Sequence, residues 1–271
     1  MSIYFKTMRS LILIKLGGSL ITNKNKADNI NRNNLNEICR EIKLAQSSGF
    51  KLIIAHGQGS FAHRPAKKYN TFQGIVNKKS YQGVCEVAGK ASQLNQLVLD
   101  TMLEKGIRVF SIKPSSIIIS QNHQLNKIFT ESIEQLLKNN LIPFLYGDQI
   151  IDKKTGCTIF SAEKVLNSIA LNLKEKKYKI KKIIHCTNTD GVFNAGGKVI
   201  KKINFKNFSQ YKKYIKGSSN MDVTGGMLHK VEQSLNLAKY NISSLIINGA
   251  TRNNLLKAIK GESILGTKIE R

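Results

Sequence analysis

Short apolar runs recur along the chain at residues 11–16, 51–55, 109–112, 117–120, 141–146, 183–186, 245–247 and 264–269, and most are closed by glycine or a polar turn. The most continuous of them predict strands buried on both faces. Between the runs, apolar positions take up helical spacing. Leu35, Ile38, Ile42 and Ala45 predict a helix over residues 31–48 that Gly49 ends. Val84, Val87, Ala91, Leu94, Leu97, Val98 and Met102 predict a longer one over 83–105, before Gly106. Further helices are expected over 130–139, from about Ser161 onward with Val165, Leu166, Ile169, Ala170 and Leu173 inward, over 224–240 with Thr224 as N-cap, and near 253–259. Residues 149–160, with Thr155-Gly156 at their centre, read as a hairpin or flap. Alternating strands and helices predict an α/β sandwich around a mainly parallel sheet with right-handed crossovers.

Composition adds bounds rather than a function. The 271 residues are 41% hydrophobic, enough for a large core, and carry a formal charge of +26. Such a charge raises nucleic acid as a partner. Here the lysines are spread along the chain among many Asn and Ile residues, which reads as compositional bias, so a nucleic-acid partner is not expected. The denser stretches, 174–182 and 201–216, read as solvated faces that are also compatible with an electrostatic lure for an anion. Cys39, Cys85, Cys157 and Cys186 show neither a Cys-X-X-Cys pair nor zinc spacing and read as reduced thiols of a cytoplasmic protein. No apolar stretch approaches the ~18–20 residues that cross a bilayer, so no membrane association is expected. Residues 1–10 read as an extension, with Met8 as an alternative start, and 11–271 as a single domain.

The chemistry gathers where strands are expected to end. Lys15 and Gly17-Gly18-Ser19 follow the first run; His56-Gly57-Gln58-Gly59-Ser60-Phe61-Ala62-His63 follows the second. Gly147-Asp148 and Thr187-Asn188-Thr189-Asp190 close two more, and Met221-Asp222-Val223-Thr224-Gly225-Gly226-Met227 opens a helix with Lys230 one turn on. Glycine turns expose backbone N–H groups to an anion, and lysines neutralise charge on a moving phosphoryl group. If the first two strands are parallel neighbours, both turns share the sheet edge at which open α/β sheets bind ligands. Neither turn is a P-loop, which needs Gly-Lys-Ser/Thr after a four-residue gap, and neither has the Gly-X-Gly-X-X-Gly dinucleotide pattern. His56, His123, His185 and His229 read as structural, and Asp148 is balanced between turn and site.

Lys15-Leu16-Gly17-Gly18-Ser19, with Ile21-Thr22 and Lys24, resembles the opening of the amino acid kinase superfamily. The stretches 57–63 and 222–227 are similar to those of the isopentenyl phosphate kinases of the alternative mevalonate pathway. The resemblance spans about residues 11–267. It implies a three-layer αβα sandwich whose lobe of about 11–160 binds the phosphoacceptor and whose lobe of about 161–271 binds ATP. It also implies Mg2+, a homodimer, and phosphorylation of isopentenyl phosphate to isopentenyl diphosphate. By the same resemblance, Lys15 and Lys24 stabilise the transferring phosphoryl group, although Lys26 leaves the register of the second lysine open. Lys15, Gly17, Gly18, Ser19, Gly59, Thr187, Asp190, Gly226 and Lys230 serve ATP. Gly57, Gln58, His63, Gly147 and Ala162 serve the acceptor, and Glu163 orients the lysines; no residue is expected to hold a metal.

Three departures stand out. Gln58 occupies a position where the family usually has glycine, and its side chain is expected near the acceptor. Ser161-Ala162-Glu163-Lys164 replaces a Ser-Gly-Asp-Asp box, lengthening the acid by a methylene and adding a cation. Asn188 replaces an Asp. The acceptor's tail is expected against the 83–105 helix, whose small residues Gly83, Val87, Ala88 and Ala91 fit either a tail or helix packing. Two alternatives remain: a kinase for another small phosphate or a phosphonate such as fosfomycin, and an inactive basic nucleic-acid-binding or regulatory module on the same fold.

Overall fold

The computed structural model describes residues 10–23, 28–215 and 226–271. Its strands are β1 (Leu11–Leu16), β2 (Lys51–His56), β3 (Val109–Ser111), β4 (Ile118–Gln121), β5 (Gln124–Ile128), β6 (Ile142–Tyr146), β7 (Asp148–Asp152), β8 (Gly156–Phe160), β9 (Ile180–Thr187), β10 (Lys202–Ile203), β11 (Ser244–Asn248) and β12 (Thr267–Ile269). Its helices are α1 (Gly18–Ile21), α2 (Arg32–Ser47), α3 (Gly59–Tyr69), α4 (Lys78–Glu104), α5 (Glu131–Lys138), α6 (Ala162–Glu175), α7 (Phe208–Ile215), α8 (Gly226–Ala238) and α9 (Asn254–Lys260).

Eight strands form one sheet in the order β10-β12-β11-β9-β1-β2-β6-β3, with every neighbouring pair parallel except β11 and β12. The two-residue period of β1 sorts its side chains between two cores. Ile12, Ile14 and Leu16 pack on one face with Leu35 and Ile38 of α2, Leu94 and Val98 of α4, and Leu255 of α9. Leu11 and Leu13 pack on the other with Ile133 of α5 and Val165, Leu166 and Ile169 of α6. This is the expected three-layer sandwich. Lys15 shares the second face, and β1 is buried at all six positions because strands flank it on both sides.

The expected flap is the β7–β8 hairpin, which joins a second sheet in the order β5-β4-β7-β8. Its turn is tied by Asp152, whose carboxylate accepts hydrogen bonds from Ser120 Oγ and from the N–H groups of Asn122, His123, Lys154 and Thr155 at 2.8–3.1 Å.

Several elements differ from the sequence reading. α3 contains Pro65, whose missing N–H and Gly59 nearby disguise it, yet its Phe61, Ala62 and Ala66 are buried. α4 starts at Lys78 instead of residue 83, because Asn77 and Ser80 form a capping box upstream. Gly83 is therefore inside the helix, where a Cβ would meet Tyr69 Cβ at 2.3 Å. Val87 and Ala91 pack against Ala62, Ala66 and Tyr146. Gly83, Val87 and Ala91 thus serve the α3–α4 contact. β5 is mostly exposed and so lacks an apolar signature, and α7 arises within a stretch that reads only as a lysine-rich solvated face.

Candidate active site

Four strands end together, and the backbone adds a rung beyond three of them. Gly17 donates its N–H to Cys186 O, Gly57 to Leu16 O and Gly147 to His56 O, each at 2.9 Å. The polar turns after β1, β2, β6 and β9 therefore stand in one row at the carboxyl edge of the sheet. The first two touch. A Cβ on Gly18 would lie 2.4 Å from the Gly59 nitrogen, and Gly59, with φ of +55°, would place one 2.5 Å from Thr22 Oγ1. No side chain fits at either position.

Above this edge opens a cavity of about 620 Å³. Lys15, Gly17, Gly18, Ser19, Gly57, Gln58, Gly59, His63, Gly147, Ala162, Glu163, Thr187, Gly226 and Lys230 all line it. Asp190 does not: it accepts a hydrogen bond from Asn248 Nδ2 at 3.0 Å, so its carboxylate braces the loop after β9 from behind. Lys24 and residues 221–225, including Asp222 and Thr224, lie outside the described residues. The cavity also includes residues for which the sequence suggested no role, among them Arg64, Ile159, Phe193 and Tyr214. Arg64 directly follows His63 on α3, a cue available in the sequence; Tyr214 comes from α7 and had none.

The electrostatic centre is Glu163. Its Oε1 lies 2.8 Å from Lys15 Nζ and 3.8 Å from Lys230 Nζ, with both Lys15 and Glu163 side chains only 6% exposed. The sequence places the acid there for a local reason: Ser161 Oγ accepts the Lys164 N–H at 3.2 Å and caps α6, putting Glu163 in its first turn. Burial alone would push the Glu163 carboxyl up, but the charges of Lys15 and Lys230 outweigh it and hold the group well below the usual carboxylate range. The carboxylate is thus ionised and committed to two lysines.

The departures from the family pattern resolve individually. Lys164 leaves the site: its Nζ donates to His123 O and lies 4.1 Å from the centroid of the Phe160 ring. Gln58 folds against the wall, where Nε2 donates to Gly147 O at 3.0 Å. Asn188 Nδ2 donates to Ser19 O at 2.9 Å and joins the β9 loop to the first glycine turn. Asp148 is buried and accepts the N–H groups of Ser115 and Gln149 at 3.1 and 2.8 Å, which makes it a turn residue.

Two buried histidines flank the lysines. His185 neighbours Lys15 in the β1–β9 register, with Nε2 3.3 Å from Ser234 Oγ; His56 ends β2. Burial lowers each to about 4. An unfolded chain protonates these rings below about pH 6.5, whereas the folded one keeps them neutral until about pH 4. Urea unfolding is accordingly expected to show stability falling between pH 6.5 and 4, by about 3 kcal/mol per ring. A flat profile across that window would contradict the neutral assignment.

Residues 10–248 match the model of the amino acid kinase family. The chain is 34% identical to isopentenyl phosphate kinase of Methanocaldococcus jannaschii, over 96% of this chain and 98% of that protein. It is 31% identical to isopentenyl phosphate kinase of Methanothermobacter thermautotrophicus, with the same two coverages. Among solved structures, one described as X-ray structures of isopentenyl phosphate kinase superposes with a TM-score of 0.81 at 28% identity, covering 96% of this chain and 99% of that one.

Proposed function

The chain belongs to the amino acid kinase family, and from that premise we propose that it transfers the γ-phosphoryl group of ATP to isopentenyl phosphate, giving isopentenyl diphosphate and ADP. The observation that carries this reading is the Lys15–Glu163–Lys230 cluster, set between two touching glycine turns with His63 in the same cavity. The relatives do not favour the phosphonate or nucleic-acid alternatives.

The chemistry asks little of a base. An ionised phosphate oxygen is itself the nucleophile, so Glu163 need not accept a proton and can remain paired. Phosphoryl transfer spreads negative charge over the equatorial oxygens, and catalysis is mainly alignment and neutralisation. In this reading Lys15 and Lys230 meet that charge. Gly17, Gly18 and Ser19 hold the phosphates of ATP, and Thr187 and Gly226 border the nucleotide. The Gly57–Gly59 backbone and His63 hold the acceptor's phosphate. Residues 11–160 supply the acceptor side and 161–271 the nucleotide side, where the aromatic faces of Phe193 and Tyr214, both about two-fifths exposed, suit a nucleobase.

Among the described residues no group of three or more His, Cys, Asp or Glu could hold a metal ion. Mg2+ in this proposal would enter with ATP and would neutralise part of the charge on its phosphates, beside Lys15 and Lys230. The four cysteines are unpaired, in keeping with the proposed cytoplasmic setting, and no described helix is long and apolar enough to cross a membrane. The homodimer is part of the proposal and is tested by sedimentation.

An ADP-release assay with MgATP decides the reaction: turnover with isopentenyl phosphate, and neither without acceptor nor with fosfomycin, is expected. Replacing His63 by alanine should reduce kcat/KM for isopentenyl phosphate by about 10²-fold while leaving unfolding unchanged, since charge-assisted hydrogen bonds to the acceptor's phosphate are lost. Near-wild-type kinetics would remove His63 from the mechanism.

A further inference from the structure

His56 does not line the cavity, yet its imidazole is in contact with the turn that does. The ring is fully buried on the α4 face of the sheet, 5.7 Å from the Tyr146 ring centroid in a stacked arrangement. Nδ1 lies 3.0 Å from Gly57 O. On its far side Asn95 of α4 stands between ring and strand, with Oδ1 3.4 Å from Nε2 and Nδ2 2.7 Å from Ser111 Oγ on β3. A buried polar path therefore runs from the edge strand through α4 to the second glycine turn.

We propose that His56 is a positioning residue that pins the Gly57 carbonyl through an Nδ1–H hydrogen bond, and thereby aims the Gln58 N–H at the acceptor's phosphate. The argument is one of peptide geometry. A carbonyl oxygen only accepts, so a ring nitrogen 3.0 Å away must carry the proton to avoid facing lone pairs. In a planar trans peptide, C=O and the following N–H point in opposite directions. Holding Gly57 O toward the imidazole therefore holds Gln58 N–H away from it, on the side where Gly57 and Gln58 border the cavity. That N–H donates to no acceptor among the described residues. Glycine at position 57 leaves the peptide free to rotate, and an external pin removes that freedom.

The remaining hydrogen bonds then follow. With its proton on Nδ1, a neutral imidazole presents Nε2 as an acceptor. Asn95 must turn its NH2 toward the ring and its oxygen toward the Ser111 hydroxyl. The orientation in the structure, with Oδ1 toward Nε2, would then set two acceptors facing one another, so the proposal requires the Asn95 amide oxygen and nitrogen to be exchanged. Burial keeps the ring neutral at physiological pH, so the pin does not switch with ordinary changes in acidity.

The kinetic arm of the test rests on the reaction proposed above; the spectroscopic arm does not. In a long-range 1H–15N spectrum of the wild-type protein at pH 7, the His56 ring, identified by its absence from a His56→Gln sample, is expected to show a protonated Nδ1 and a bare Nε2. The opposite tautomer overturns the proposal. For kinetics, His56→Asn keeps an N–H donor near the Nδ1 position, His56→Gln keeps one near Nε2, and His56→Leu keeps neither. The Asn variant should stay within about threefold of wild type in kcat/KM for isopentenyl phosphate. The Gln and Leu variants should fall about tenfold or more, with KM for ATP changed less than about threefold in all. Equal losses in the Asn and Leu variants, unchanged acceptor constants in the Leu variant, or a rise in KM for ATP matching the acceptor loss would each overturn it. Thermal unfolding of each variant is measured alongside; if a variant does not fold, the wild-type tautomer decides. Wild-type protein inert toward isopentenyl phosphate would count against the reaction and leave the positioning role to the same spectrum.

Discussion

Replacement of Lys15 by methionine is expected to lower kcat by about 10²–10³-fold, the loss typical when one preorganised donor to transition-state charge is removed. Lys15 sits on β1, between β2 and β9, so its position does not depend on a mobile loop. Its ammonium is held 2.8 Å from Glu163 in a nearly dry setting, where a fixed charge acts more strongly than in water. Methionine keeps an unbranched side chain of similar length, and Lys230 remains 3.8 Å from Glu163, which limits the disturbance to the fold. The expected pattern is a fall in kcat, with KM for ATP moved by only a few-fold, because the interaction is made chiefly in the transition state. A kcat within threefold of wild type in a folded Lys15→Met protein would remove Lys15 from the chemistry.

The second large effect is expected at Glu163. Glu163→Gln leaves two ammonium groups close together without their shared counterion. Breaking a buried pair from one side costs about 3–5 kcal/mol, well above the ~0–1 kcal/mol of a surface ion pair. Turnover should fall as well, by about 10²-fold, because the lysines lose the contact that orients them. Glu163→Asp, which retains the charge one methylene shorter, should recover most of the stability. The acid side carries its own sign. The folded carboxyl is held below its unfolded value, so its pairing stabilises the protein above about pH 4.3 and is lost only as pH falls through the lower folded value. Urea unfolding of wild type and Glu163→Gln should therefore differ most near neutrality and converge in strong acid. Equal stability at pH 7 would contradict the buried-pair account.

Interpretation of either variant depends on separating local loss from collapse. The neighbourhood of Lys15 includes His185 in register on β9 and the capped first turn of α6, and neither needs the lysine for its own hydrogen bonds. Lys230 also contacts the Gly226 carbonyl at 3.3 Å, so the start of α8 does not depend on Glu163 alone. Both substitutions thus test the charge cluster more than the scaffold.

The amino-acid sequence by itself determined the α/β class, the strands that carry the site, and the polar turns at their ends, because these depend on local rules. A five- or six-residue apolar run bounded by glycine has few other uses, and Ser161 with Glu163 two residues on marks a helix start wherever it folds. The same local rules hid α3 behind Pro65 and placed the start of α4 too late, since Gly83 looked like a boundary until Tyr69 packed on it. Tertiary structure alone decided which neighbouring side chains face the chemistry. Glu163 and Lys164 are adjacent on one helix, about 100° apart; one meets Lys15, and the other turns to the Phe160 ring and the β4–β5 turn. Asp190 stands three residues beyond Thr187, the last residue of β9, yet of the two only Thr187 borders the cavity. His56 looks like a core histidine from the sequence, and its contact with Gly57 O exists only because α4 and β6 enclose the ring and fix its rotation. Periodicity records which face of an element is apolar. The direction of a single polar side chain is set by the partners that folding brings within about 3 Å of it, and those come from distant parts of the chain.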